Sequence, residues 1–274
     1  MSMFTKVIGS ALLILLPVSL SKAELPISVD DIFVQQDNIR FGLSTQYLNR
    51  QDDIDSLGTI NSDQLLLGLS VRYGISPKTE VSANTSFRYW NERAYLLGKE
   101  FSDSGSQWES LSIGVSHKLS DDYLRPALLV FGEFVVAERP SRAPSQVGYG
   151  KTYKMGAATY KSIDPILLSG LFVAEYHAER IINGLDVEHG ISLRLEPKVA
   201  FIVNNRVTLT GGIRWQWRER SRINGSHSGI NLTETSLAMG VGYHVSEKLT
   251  LSFEGDFAVT NDRGSSLTLH FIYR

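Results

Sequence analysis

Cysteine is absent from all 274 residues, which removes disulfide staples, thiolate metal sites and cysteine nucleophiles together. Neither sign of charge dominates, since 27 Lys+Arg face 29 Asp+Glu for a formal net charge of −2, and no nucleic-acid partner is expected from that balance. After the first two dozen residues no apolar run is long enough to cross a bilayer as a helix, which takes ~20 residues. Neither a cofactor nor a metal is expected, and a large enclosed apolar core is not either, because the apolar residues alternate with polar ones.

The longest apolar run is at the start. Lys6 precedes an apolar stretch from Val7 to Leu20, broken by Ser10, Pro17 and Ser19, and Ser21-Lys22-Ala23 follows. This is the order of a secretory signal peptide, here 1–23, cleaved at or near Ala23. Loss of Lys6 and Lys22 shifts the net charge from −2 to −4. Export leaves two destinations for a chain without a spanning helix, the periplasm or an outer-membrane barrel.

The alternation favours the barrel. Leu249, Leu251, Phe253, Phe257 and Val259 interleave with Thr250, Ser252, Glu254, Asp256 and Thr260, and Leu267, Leu269, Phe271 and Tyr273 interleave with Thr268, His270 and Arg274. Period two puts one set on each face of a strand, and lipid outside with water inside satisfies both. The same pattern recurs upstream and predicts strands over about 39–50, 62–74, 79–92, 106–119, 125–138, 151–162, 166–180, 190–203, 206–220, 233–245, 248–260 and 265–274. Strands five and seven stand apart, because Leu128 to Val136 and Ile166 to Ala174 are apolar on both faces, which a buried sandwich strand also produces.

Spacing and aromatics support closure. Short connections at 75–78, 120–124, 162–165, 204–205 and 246–247 alternate with longer ones at 51–61, 93–105, 139–150, 181–189 and 221–232, the asymmetry of barrels with short periplasmic turns and long outer loops. Phe41, Tyr73, Phe201, Tyr243 and Tyr273 fall near the short-turn ends, whereas Tyr47, Tyr89, Tyr176, Trp215 and Trp217 fall toward the long-loop ends, as two interfacial girdles require. The expected fold is an all-β, transmembrane, antiparallel up-and-down β-barrel of twelve strands over 39–274.

Strand parity then predicts a lumen lined by Arg40, Arg72, Glu80, Arg88, Lys154, Glu175, Glu179, Arg194, Glu196, Arg206, Arg214, Arg218, Glu254, Asp256 and His270. Such a lumen is wet, laced with ion pairs and narrow at twelve strands. Arg206, Arg214 and Arg218 share a face, which either favours anionic solutes or serves to pair facing carboxylates. Residues 24–38 are expected as an unstructured periplasmic leader or as a plug, a short helix capped by Ser28 or Asp30 and presenting Val29, Ile32 and Phe33. No catalytic residue is assigned. Glu175-His177-Glu179 and Ser226-His227-Ser228 are the sets from which a lipid hydrolase would be built, yet neither announces the orienting group and oxyanion donors such chemistry needs.

The stretch Gly68-Leu69-Ser70-Val71-Arg72-Tyr73-Gly74-Ile75-Ser76-Pro77-Lys78-Thr79-Glu80-Val81 resembles a strand–turn–strand of the outer-membrane proteins linked to phenol meta-pathway degradation. The second half resembles the related export channels for functional amyloid, through Tyr160-Lys161-Ser162-Ile163-Asp164-Pro165, Asn204-Asn205-Arg206, Gly240-Val241-Gly242-Tyr243 and Thr260-Asn261-Asp262. The resemblance covers most of the mature chain and rests mainly on turn residues. It implies a twelve-stranded outer-membrane transporter, with a homotrimer among its assembly states and with lipid and the barrel-insertion machinery as partners. Residues 24–38 are shorter than the periplasmic extension of the amyloid exporters, so a small molecule, aromatic ones included, and an exported polypeptide both stand as cargo. A closed structural or anchoring barrel is the alternative, and an outer-membrane lipid hydrolase the third.

Overall fold

The computed structural model describes residues 33–54, 58–96, 99–139, 147–182, 185–228, 230–260 and 264–274. The expected signal peptide 1–23 and residues 24–32 of the expected leader, with Val29 and Ile32, lie outside them. In chain order the strands are β1 (Ile39–Ile54), β2 (Gly58–Ser76), β3 (Thr79–Leu96), β4 (Lys99–Ser120), β5 (Ala127–Glu138), β6 (Gly148–Ile163), β7 (Ile166–His177), β8 (Arg180–Ile182), β9 (Leu185–Glu188), β10 (Gly190–Ile202), β11 (Val207–Arg218), β12 (Ser221–Ile223), β13 (Ser226–Ser228), β14 (Leu232–His244), β15 (Leu249–Ala258) and β16 (Ser265–Tyr273). Twelve of them, all but β8, β9, β12 and β13, close into one antiparallel barrel. The ring is sealed by β1 on β16, in register from Phe41 opposite Tyr273 to Asn49 opposite Ser265.

Burial is inverted relative to a protein folded in water. Among the described residues the outward rows are open, with Leu69 48 % and Phe253 49 % exposed, while Arg40, Glu80, Glu196 and Asp256 are buried. That is the arrangement of a barrel with lipid outside and a polar interior. Tyr153 stacks at 6.5 Å on Tyr176 and meets Phe134 at 5.4 Å between centroids, extending the long-loop girdle across three strands.

Several boundaries differ from the sequence expectation. The β1–β2 and β3–β4 hairpins run on through most of the two segments expected as loops, because an antiparallel ladder continues wherever both chains stay extended. Residues 180–188 and 221–228 pair with one another instead of forming open loops, giving a four-stranded sheet in the order β13-β12-β9-β8. Strand seven of the barrel ends at His177, three residues early, and β11 begins at Val207, one residue late.

The short turns are held by side chains. Asn204 Oδ1 accepts the N–H groups of Arg206 and Val207. After β4, Asp122 Oδ1 accepts from Lys161 Nζ at 2.8 Å and Asp122 Oδ2 accepts the Ser162 N–H at 2.8 Å. Burial opposes ionisation of this carboxyl, but Lys161 and Ser162 outweigh it and hold it below the usual carboxylate range. A depressed folded value means that the turn stabilises the barrel at neutral pH and that this is lost as pH falls from the usual carboxylate value through the lower folded one. Asp122→Asn is therefore expected to shift the urea midpoint down at pH 7 and much less at pH 3.

Candidate functional site: the lumen and its mouth

Three inner walls differ in chemistry. On the first, β10, β11 and β15 bring six charges together. Arg214 Nε donates to Glu196 Oε1 at 2.7 Å, Arg214 also pairs with Asp256, and its remaining nitrogen lies 3.5 Å from Glu254. Lys198 Nζ lies 2.9 Å from Glu254, and Arg194 Nε 3.2 Å from Glu196. Arg214 and Asp256 stand two strands apart, with β14 between them. They meet because β14 presents Ala238 and Gly240, over which long side chains can lie. A Cβ on Gly240 would sit 2.7 Å from Thr210 Oγ1 and 2.9 Å from the Phe253 carbonyl oxygen.

The second wall, β1 to β4, is shaved down to small polar residues. Gly42 pairs with Ser70 and Ser44 with Gly68, so each serine faces a glycine. The recess beside them is about 490 Å³ and is lined by Arg40, Arg72, Asn84, Ser112 and His270 among others. Above it a wider vestibule of about 1780 Å³ reaches the long-loop end, lined by Arg88, Lys154, Glu175, His177, Arg180 and Arg218 among others. Within the vestibule Arg88 pairs with Glu109, Lys154 with Glu133 at 3.1 Å and Arg180 with Glu138 at 2.9 Å.

The third is an apolar patch at the short-turn end of β5, β6, β7 and β10. Ala127 and Leu129 of β5, Tyr160 of β6, Leu167 of β7 and Ala200 of β10 form a buried cluster, and its sixth member is Phe33 from the leader. Phe33 and Val34 are 6 % and 2 % exposed. Lys118 Nζ stands 5.4 Å from the Phe33 ring centroid, a cation–π geometry. Arg40 donates to the Phe33 carbonyl at 3.3 Å, and Glu80 Oε2 accepts the Val34 N–H at 2.8 Å. Full burial of side chains this size contributes roughly 1.5–3 kcal/mol each, so the leader is seated at the short-turn mouth. Strands five and seven are apolar on both faces for this reason: Leu128, Leu168 and Phe172 face outward, and Leu129, Leu167 and Val173 inward.

Of the residues assigned to the lumen by parity, Arg40, Arg72, Lys154 and His270 line the recess, and Arg88, Lys154, Glu175 and Arg218 line the vestibule. Arg194, Glu196, Arg214, Glu254 and Asp256 meet in the ion-pair wall, and Glu80 meets the leader. Two positions fall outside the barrel strands. Glu179 is exposed beyond the end of β7, because the chain leaves the wall at His177, and Arg206 is exposed in the short turn before β11. Glu109 and Glu138 were missed because bulges between Ser86 and Phe87, and between Val135 and Ala137, reset the parity of β4 and β5. A charge at an outward-parity position was the available signal.

Of the two hydrolase sets, the first comes together only at Glu175 and His177, with Glu179 beyond the strand, and the second stays in an exposed hairpin. Glu175 Oε1 lies 3.3 Å from His177 Nε2, whose other nitrogen meets Thr152 at 3.1 Å. Ser226 and His227 are exposed in the β12–β13 hairpin. Ser221 Oγ does meet His189 Nδ1 at 3.1 Å, a pair the sequence did not single out. Among the described residues no group of three or more His, Cys, Asp or Glu side chains is placed to hold a metal.

A closed twelve-strand antiparallel barrel with an apolar exterior and a charged interior is the architecture of outer-membrane β-barrels. No family model matches the chain, and no curated protein matches it in sequence. Its fold is similar to that of the COG4313 outer membrane channel from Pseudomonas putida F1, at TM-score 0.69 and 12 % identity over 93 % of this chain and 99 % of that one. It is also similar to the translocator domain of the autotransporter NalP from Neisseria meningitidis (TM-score 0.52, 12 % identity, 90 % and 91 % covered) and to the NanC porin (0.51, 12 %, 85 % and 99 %).

Proposed function

We propose that the protein is a non-enzymatic outer-membrane channel that passes a small solute through a narrow lumen and is shut at its periplasmic mouth by Phe33 and Val34. The observation that carries this reading is the seat itself. A barrel that serves only as a wall or anchor has no need of an apolar socket inside an otherwise polar lumen. The recess is on the scale of small-molecule sites and opens into a wider vestibule, and both carry charged side chains, Glu133 and Lys154 in the recess and Lys154 and Glu175 in the vestibule, which suits a small solute bearing polar or charged groups, aromatic ones included. An exported polypeptide is the less favoured cargo, because a twelve-strand lumen is narrow and six charged side chains meet on one of its walls.

Conductance across planar bilayers tests the reading. The chain lacking its signal peptide is expected to show small, infrequent openings, and deletion of residues 24–34 is expected to raise the mean conductance several-fold. Absence of openings in both proteins would favour a closed structural barrel. Hydrolysis of phospholipid that is lost in His189→Ala would instead favour the hydrolase.

A further inference from the structure

We infer that Glu80 is the latch of the mouth plug and Gly74 the anchor of the strap that carries it; the inference rests on the closure proposed above. Several other inward carboxylates of the barrel are engaged with a cation of the wall, Glu133 with Lys154, Glu138 with Arg180 and Glu196 with Arg214 at 3.1 Å or less. Glu80 differs. It is 2 % exposed, its cation Arg72 stands off at 3.6 Å, and its shortest bond goes to the leader's Val34 N–H at 2.8 Å. A carboxylate accepting a buried N–H makes one of the stronger hydrogen bonds in a protein. Here it joins the wall to a segment that contributes no strand to it.

The anchor lies directly across the β2–β3 ladder, where Gly74 faces Glu80. The Asp37 N–H donates to the Gly74 carbonyl at 2.9 Å, and the Gly74 N–H donates to the Asn38 carbonyl at 3.1 Å. Gln36 forms a parallel bridge to Gly74, and Asp37 turns the chain with φ 61°. A Cβ at Gly74 would fall 2.0 Å from the Gln35 carbonyl oxygen, so only glycine lets the leader lie this close. Backbone bonds therefore fix residues 35–38 to the rim of β2. The tip, Phe33 and Val34, is held by the apolar seat, by Arg40 and by Glu80. Loss of the Glu80 bond frees the tip while leaving the strap in place.

The cysteine-free chain permits a direct test. A thiol introduced by Val34→Cys is reacted with a membrane-impermeant maleimide, and its labelling rate is compared with Glu80, Glu80→Gln and Glu80→Ala. The alanine leaves a buried N–H without its acceptor and is expected to raise the rate about 10-fold or more. Glutamine keeps an acceptor and loses its charge, so its rate should fall between the two. A reporter at Ala238→Cys, buried under the ion-pair wall, should label at the same rate in all three backgrounds. Equal rates at position 34 would overturn the latch, as would a parallel rise at both reporters, which marks general loosening. Heat-modifiable migration in gels checks folding, and if the alanine does not fold, the glutamine comparison decides. Labelling reads the latch whatever the conductance, so a silent pore with a fast-labelling position 34 would sink the channel and spare the latch.

Discussion

Replacing Arg214 with alanine is expected to destabilise the barrel by about 2–4 kcal/mol, visible as a lowered urea midpoint in the fluorescence of the adjacent Trp215 and Trp217. The physical cause is what stays behind. Glu196, Glu254 and Asp256 would share a low-dielectric wall with only Arg194 and Lys198 to balance them. Breaking a buried ion cluster from one side costs about 3–5 kcal/mol, and water in the lumen reduces this by a part. The Arg214 side chain keeps 25 % of its surface, too little for the sub-kcal regime of surface pairs. A midpoint change worth under ~0.5 kcal/mol would place the cluster in that regime after all. The same substitution turns three positive and three negative charges into an excess of one negative, so reversal potentials in a salt gradient should move toward cation preference.

The second large effect belongs to the opposite surface. Leu69 lies on the outward row of β2, four residues from Tyr73 at one girdle and four from Leu65, which pairs with Tyr89 at the other. Leu69→Arg therefore puts a guanidinium near mid-bilayer, at an expected cost of about 2–4 kcal/mol. Tyr73→Arg, at the interface, should cost only about 0–1 kcal/mol. Reversible unfolding from lipid vesicles measures both. Equal costs at the two positions would contradict the assignment of this row to lipid depth.

Much of this architecture is legible in the chain, and the limits are physical. Period-two alternation is local, so the twelve strands and the outward rows such as Leu65 to Tyr73 follow from it directly. Parity fails wherever one residue is inserted into the pairing, and the bulges in β4 and β5 accordingly hid Glu109 and Glu138. The double-sided apolar character of strands five and seven was visible as an anomaly, but its cause was not. Periodicity describes a strand and says nothing of what lies against it, here Phe33 from the far end of the sequence. The pairing of residues 180–188 with 221–228 was likewise out of reach, since three-residue strands carry no alternation to read.

The seam between β1 and β16 has a consequence for how such a wall comes into being. Phe41 and Tyr273 are paired, so the contact that completes the ring joins residues at opposite ends of the strand order, a pairing with the largest loop-closure entropy the chain can incur. Until it forms, β1 and β16 each expose an unpaired backbone edge, which hydrocarbon cannot solvate. Partial insertion is therefore penalised at every stage short of the last. Assembly should behave as a single concerted event, with a half-built wall open to a catalyst that lends its own strand edges to the two free ones.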